Sequence, residues 1–245
     1  MADVLLYDYP GSICSQMARL ALAEKGVSYT RQTIDIMKTH EQFEPWYVAL
    51  NAKAVVPTLR IGDEIITDTI NIVHRVDAAF DGPALIVPDA ARMQDLMARI
   101  MGLHYGVLLY CDGLTHDRTS PTIVARGELL AAQLKQHPEH AKLLKSRLEG
   151  NRRFQAILKD ADEVEAHLQN TRDLVDALET ALAHSDFVAG DSYSLADCFA
   201  TAALARFHKH GFDIWWEDGL KPNIHRYYMA MKARPSWSAA GVVEG

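Results

Sequence analysis

The chain has 245 residues, 49% of them apolar and 23% charged, the make-up of an ordinary soluble globular protein with length for one large core or two smaller ones. Its 25 basic residues against 32 acidic ones give a net charge of −7, which argues against a nucleic-acid binder built on clustered Lys and Arg. No apolar run reaches the roughly 20 residues that span a bilayer, and the acidic start is unlike a secretory leader. Cys14, Cys111 and Cys198 have neither disulfide nor zinc spacing, so a reducing cytoplasm is the expected location.

Residues 4–9 are a short apolar run of strand length, broken by Pro10 and Gly11. From Ser15 to Lys25 the residues Met17, Leu20, Ala21 and Leu22 recur at helical spacing, and Gly26 stands where a C-cap would. Residues 27–36 alternate as a second strand, and helical turns follow between Glu41 and Leu50. Residues 55–61 and 64–67 flank Gly62 and Asp63 as a hairpin, and residues 68–80 return to helical spacing through Ile70, Ile72, Val73 and Val76. Strand, helix, strand, helix, strand, strand, helix is the thioredoxin-like order, a mixed α/β sheet with helices on both faces. Pro57 conflicts with an uninterrupted strand, and a cis Val56–Pro57 bond would reconcile the two.

Residues 81–91, with two prolines and a glycine, read as a linker between an α/β domain at 1–80 and an all-helical domain at 92–245. Apolar residues three and four apart predict helices over 92–110, 121–135, 139–158 and 160–184. Ser194 and Asp197 have the spacing of a capping box, and the helix after them, 195–207, is apolar nearly all round and belongs at the centre of the helical domain.

Cys14 is the first candidate for chemistry. It follows a strand and a break and opens a helix, where unpaired N–H groups favour a thiolate; the position predicts a lowered pKa. Cys198, inside an apolar helix, reads as an inert buried thiol. The segment Cys14-Ser15-Gln16-Met17 lacks the second cysteine of a dithiol pair, so Cys14 would take its second thiol from solution. His208 and His210 have no third ligand nearby, and no metal is expected.

Gly11-Ser12-Ile13-Cys14-Ser15-Gln16, Val55-Val56-Pro57-Thr58 and Ser194-Leu195-Ala196-Asp197 resemble the cytosolic glutathione transferases in order and spacing over essentially the whole chain. With Phe43-Glu44-Pro45-Trp46-Tyr47 and its continuation to Leu59, Asn71-Ile72-Val73, Leu204-Ala205-Arg206 and Met231-Lys232-Ala233-Arg234, the likeness is to the zeta-like branch of tetrachlorohydroquinone reductive dehalogenases. The resemblance implies a thioredoxin-like domain followed by an all-α domain, glutathione as co-substrate, a small electrophilic aromatic substrate and a homodimer. It implies that Val56, beside Pro57, pairs with the cysteinyl amide of glutathione, and that Asp68 and Thr69 hold its γ-glutamyl end where most relatives have Glu-Ser. Asp68 also suits a plain helix cap. Ser12 would hydrogen-bond the glutathione sulfur and Cys14 would form a mixed disulfide with it.

The same resemblance makes Arg19 a source of positive potential for an anionic substrate, with a salt-bridged structural arginine as the competing reading. His104, Tyr105 and Tyr110 from one helix, and His208 and Trp215 from a later segment, are the candidate substrate contacts, since rings and imidazoles suit a planar phenol. Maleyl cis–trans isomerisation, glutathione-dependent ether or thioether cleavage, and a non-catalytic interaction module are the competing functions. An intact Ser12, Cys14, Pro57 and carboxylate–hydroxyl pair argue against the last.

Overall fold

The computed structural model describes residues 3–111 and 121–242. Its sheet has the order β2-β1-β3-β4, with β1 (Val4–Asp8) parallel to β2 (Thr30–Thr33) and antiparallel to β3 (Thr58–Ile61), which pairs with β4 (Glu64–Thr67). Side chains alternate between the faces of β1. Tyr7, with Leu5 beside it, joins Ile34, Tyr47 and Val56 in one apolar cluster, so Val4, Leu6 and Asp8 point to the opposite face. The bond Val56–Pro57 is cis and β3 starts after it, which is why a proline is tolerated there.

Three helices belong to the sheet: α1 (Ile13–Glu24), the short α2 (Pro45–Leu50) and α3 (Thr69–Ala79). Residues 81–89 contain no helix, and α4 starts at Ala90. The predicted helix over 92–110 is two helices, α4 (Ala90–Met101) and α5 (Tyr105–Tyr110), because Gly102 caps the first and His104 starts the second. Then come α6 (Pro121–Gln136), α7 (Ala141–Lys159), α8 (Ala161–Leu182) and α9 (Leu195–Lys209). The last two helices, α10 (Pro222–Ala233) and α11 (Pro235–Ala239), each open on a proline, where a missing N–H costs nothing.

Contacts divide the chain into two compact units, Met1–Gly102 with Leu174–Gly245, and Leu103–Asp173. In the first, α1 packs against α3, α9 and α11, and α9 is also packed by α4. The centre is α9, buried from Leu195 to Ala205. Its capping residue Asp197 is itself buried. The carboxylate accepts from the N–H and the hydroxyl of Ser194, both at 2.8 Å, from the Val188 N–H at 3.1 Å and from the Tyr227 hydroxyl at 2.9 Å. Burial outweighs these bonds and raises its pKa to about 6. In the second unit α7 packs against α5 and α6. Among the described residues no helix is long and apolar enough to cross a membrane.

Candidate active site

β1 hands the chain to a tight loop at residues 10–12, and Ser12 caps α1 by accepting the Ser15 N–H at 3.3 Å. Accepting that bond leaves the hydroxyl proton of Ser12 free to be donated. Cys14, the second residue of α1, is partly exposed, while residues 15–22 behind it are buried. The cysteine therefore stands at the rim of the core.

Two other elements meet it. Thr69, the first residue of α3 and 5% exposed, has a side chain whose hydrogen-bonding character favours the Cys14 thiolate. Arg206, near the end of α9, donates to the Gly11 carbonyl in the loop before α1 and places its charge on Cys14. Asp68 caps α3, accepting from the Ile70 N–H at 3.1 Å, and its other oxygen lies 3.4 Å from Lys53 Nζ. Its φ of 74° is left-handed, a strained choice for a residue with a Cβ and of the kind that clusters at ligand sites.

Burial pushes the Cys14 thiol above its ordinary value; the Thr69 bond lowers it, the Asp68 carboxylate raises it, and the Arg206 guanidinium lowers it again. The expected lowering by helix position is overturned, because desolvation of a sulfur packed on the core outweighs the local N–H groups. Of the other cysteines, Cys111 and Cys198 are buried, and burial drives the Cys198 thiol far up.

The backbone at Val56 lies just outside the β3 ladder, which begins at Thr58. The loop before it is pinned from α2. The Tyr47 hydroxyl and Asn51 Nδ2 both donate to the Val55 carbonyl, at 2.8 and 2.9 Å, and both reach Thr58 Oγ1 at 3.0 Å. Burial raises the Tyr47 hydroxyl to about 12, so it remains a donor. Cys14 at the start of α1 and Asp68 and Thr69 at the start of α3 thus act on one another.

Arg19 departs from its expected place. Its side chain is 1% exposed, ion-paired with the fully buried Asp8, and it donates to the carbonyls of Ala240 at 2.6 Å and Pro10 at 3.0 Å. Nothing of the guanidinium is left to meet a substrate, so the salt-bridged reading is the right one.

His208 and Trp215 lie in the first unit. His208 Nδ1 is 2.9 Å from the Asp213 carboxylate, and Trp215 packs on Phe212 with ring centroids 4.7 Å apart. In the second unit His104 caps α5, its Nδ1 accepting the Val107 N–H at 3.2 Å. Its ring stacks on Phe154 at 4.9 Å and lies 4.8 Å from that of His167. Burial, then the neighbouring His167, lowers the pKa of His104. Tyr110 meets the same Phe154 edge-on at 6.1 Å, and Tyr105, the first residue of α5, is partly buried. Among the described residues no cluster of His, Cys, Asp or Glu is arranged to hold a metal.

Sequence reasoning passed over Arg206 and Lys53 as site residues. The signal for Arg206 was there, a single basic residue within the apolar stretch 195–207. Lys53 is solvent-exposed and only its position opposite Asp68 draws notice.

Comparison with known proteins agrees with this geometry. The family description "Glutathione S-transferase, N-terminal domain" matches residues 11–79, and "Glutathione S-transferase, C-terminal domain" matches residues 161–230. The chain is 34% identical over 246 residues to the tetrachloro-p-hydroquinone reductive dehalogenase of Sphingobium chlorophenolicum, covering 99% of this chain and 97% of that one. It is 32% identical over 89 residues to the maleylacetoacetate isomerase of Pseudomonas aeruginosa, 36% of this chain and 42% of the other. Among solved structures, the beta-etherase LigF of Sphingobium sp. strain SYK-6 superposes with a TM-score of 0.75 at 19% identity, over 97% of this chain and 98% of that one, a likeness of fold.

Proposed function

The chain belongs to the glutathione S-transferase family, enzymes that use glutathione as co-substrate, and from that premise we propose that it reductively dehalogenates a small halogenated hydroquinone through Cys14. Residues 1–80 would bind glutathione and residues 92–245 the aromatic substrate. The observation that carries the reading is the cysteine itself: a partly exposed residue at the second position of α1, its ionisation influenced by Thr69, Asp68 and Arg206.

The steps balance as follows. Glutathione thiolate, with Ser12 donating to its sulfur, displaces halide from an electron-poor form of the ring and leaves an aryl thioether. The Cys14 thiolate attacks the thioether sulfur; the carbon–sulfur bond breaks, the ring keeps the electron pair and takes up a proton. Cys14 and glutathione are left as a mixed disulfide. A second glutathione thiolate attacks the glutathione sulfur of that disulfide, releasing oxidised glutathione and restoring Cys14. Two glutathiones are oxidised, one carbon–halogen bond is reduced, and one equivalent of hydrogen halide leaves. Only a sulfur nucleophile performs the middle step, which is why a cysteine at position 14 carries more weight than a serine would.

In this reading the Val56 backbone pairs with glutathione and Asp68 and Thr69 take its γ-glutamyl end; the candidate aromatic contacts are His208 and Trp215 in the first unit and His104, Tyr105 and Tyr110 in the second. A homodimer and a reducing, cytoplasmic setting belong to the same proposal. The test is an intact-mass time course with glutathione and tetrachlorohydroquinone, wild type beside Cys14→Ser, with chloride followed in parallel. Chloride release with a glutathione adduct on wild-type Cys14, and a glutathionyl-hydroquinone that accumulates in the variant, is the expected result. Glutathione binding with neither chloride nor adduct would reject dehalogenation in favour of isomerase or ether-cleaving chemistry.

A further inference from the structure

Besides the glutathione contacts, one charged residue reaches the reactive cysteine from a distant part of the chain. We propose that Arg206 is the positioning residue that brings the Cys14 thiolate within reach, by its charge and by its hold on the Gly11 carbonyl; this rests on Cys14 being the working thiol. The geometry is local and specific. α9 is buried as far as Ala205 and packs against α1, and at Arg206 it delivers a guanidinium to the loop that leads into α1. Gly11 lies three residues before Cys14, so one side chain both fixes the loop into α1 and acts by its charge on the Cys14 thiol.

The groups that act on Cys14 form a short set. Thr69 supplies a hydrogen bond and Asp68 a negative charge from α3, and Arg206 supplies the positive charge from α9. Asp68 is itself near Lys53, on the exposed side. His210, one turn beyond Arg206, is not a second cation: burial, then Arg206 and Lys209, hold it at about 4, neutral at pH 7. Arginine suits the position better than lysine, since its planar fork keeps the carbonyl bond while its charge cannot be titrated away.

The experiment is the rate of Cys14 alkylation by iodoacetamide against pH, the site read by peptide mass, in wild type, Arg206→Gln, Arg206→Lys and Asp68→Asn. Arg206→Gln moves the midpoint up by about one pH unit, roughly tenfold slower labelling at pH 7.5, while the high-pH plateau stays within about twofold. Arg206→Lys falls between Arg206→Gln and wild type, and Asp68→Asn moves the midpoint down. A plateau change without a midpoint change would mean that Arg206 only shapes the loop, and an unmoved profile would mean that it does nothing; either overturns the proposal. Should Arg206→Gln not fold, Arg206→Met, which keeps the bulk without the charge, decides by the same midpoint. Because labelling needs no glutathione, the midpoint decides whether Arg206 acts on Cys14, while unimpaired turnover by Cys14→Ser would separately reject Cys14 as the working thiol and the dehalogenase reading with it.

Discussion

Replacing Asp8 by Asn isolates a buried electrostatic element of the first unit. Asp8 is 0% exposed and holds Arg19, 1% exposed, on one side and Arg31, 39% exposed, on the other. In Asp8→Asn, Arg31 turns to water at little cost, but Arg19 remains a buried cation without its anion. Removing one partner of a buried pair costs about 3–5 kcal/mol. The carbonyls of Ala240, Pro10 and Gly241 still accept from Arg19, so we expect the lower end, about 3 kcal/mol. The second change, Arg19→Met, removes the stranded charge and keeps the bulk, and the double variant should recover about 2 kcal/mol of the loss. Urea unfolding of the wild type, both single variants and the double variant, followed by circular dichroism, completes the cycle. The folded double variant should also keep its KM for aromatic substrate, since Arg19 touches none. An Asp8→Asn cost below about 1 kcal/mol, or a double variant as unstable as the sum of the singles, would refute the argument.

Arg19 also marks where the sequence ceased to be legible. Local signals carried the α/β order, the hairpin, the cis bond at Pro57 and the caps at Ser194 and Asp197, because spacing and turn chemistry act within a few residues. The break between α4 and α5 was missed, since the apolar spacing of 92–110 continues across Gly102 and only the His104 cap reveals a new start. The bond from Arg19 to the Ala240 carbonyl joins residues 221 apart in sequence, and no local pattern announces it. At the candidate site the division is the same. Cys14 was visible because a strand, a break and a helix start follow one another in ten residues, whereas Ser12 entered through the family resemblance. The ionisation of Cys14 was not, being set by burial and by groups on α3 and α9. Strand-to-helix position alone gave the wrong sign.

Asp68→Ala should raise the KM for glutathione about tenfold and change kcat less, with about 1 kcal/mol lost from the α3 cap; a steady-state series in glutathione checks it, and an unchanged KM would remove Asp68 from the glutathione site. Asp197 gives a prediction of unusual sign. An ordinary paired carboxylate has a depressed pKa and stabilises its fold as pH rises. Here four donors fail to offset complete burial, and the folded carboxyl is pushed up to about 6 from an ordinary aspartate's 3.8. Between these values the folded chain holds a proton that the unfolded chain has lost, so this group's contribution falls as pH rises from about 4 to about 6, by about 3 kcal/mol in all. Urea stability measured at intervals across that window, wild type minus Asp197→Asn, cancels the other carboxylates and leaves this term. The difference should decline with pH; a difference that climbs instead would mean that the Ser194, Val188 and Tyr227 donors outweigh desolvation at the start of α9.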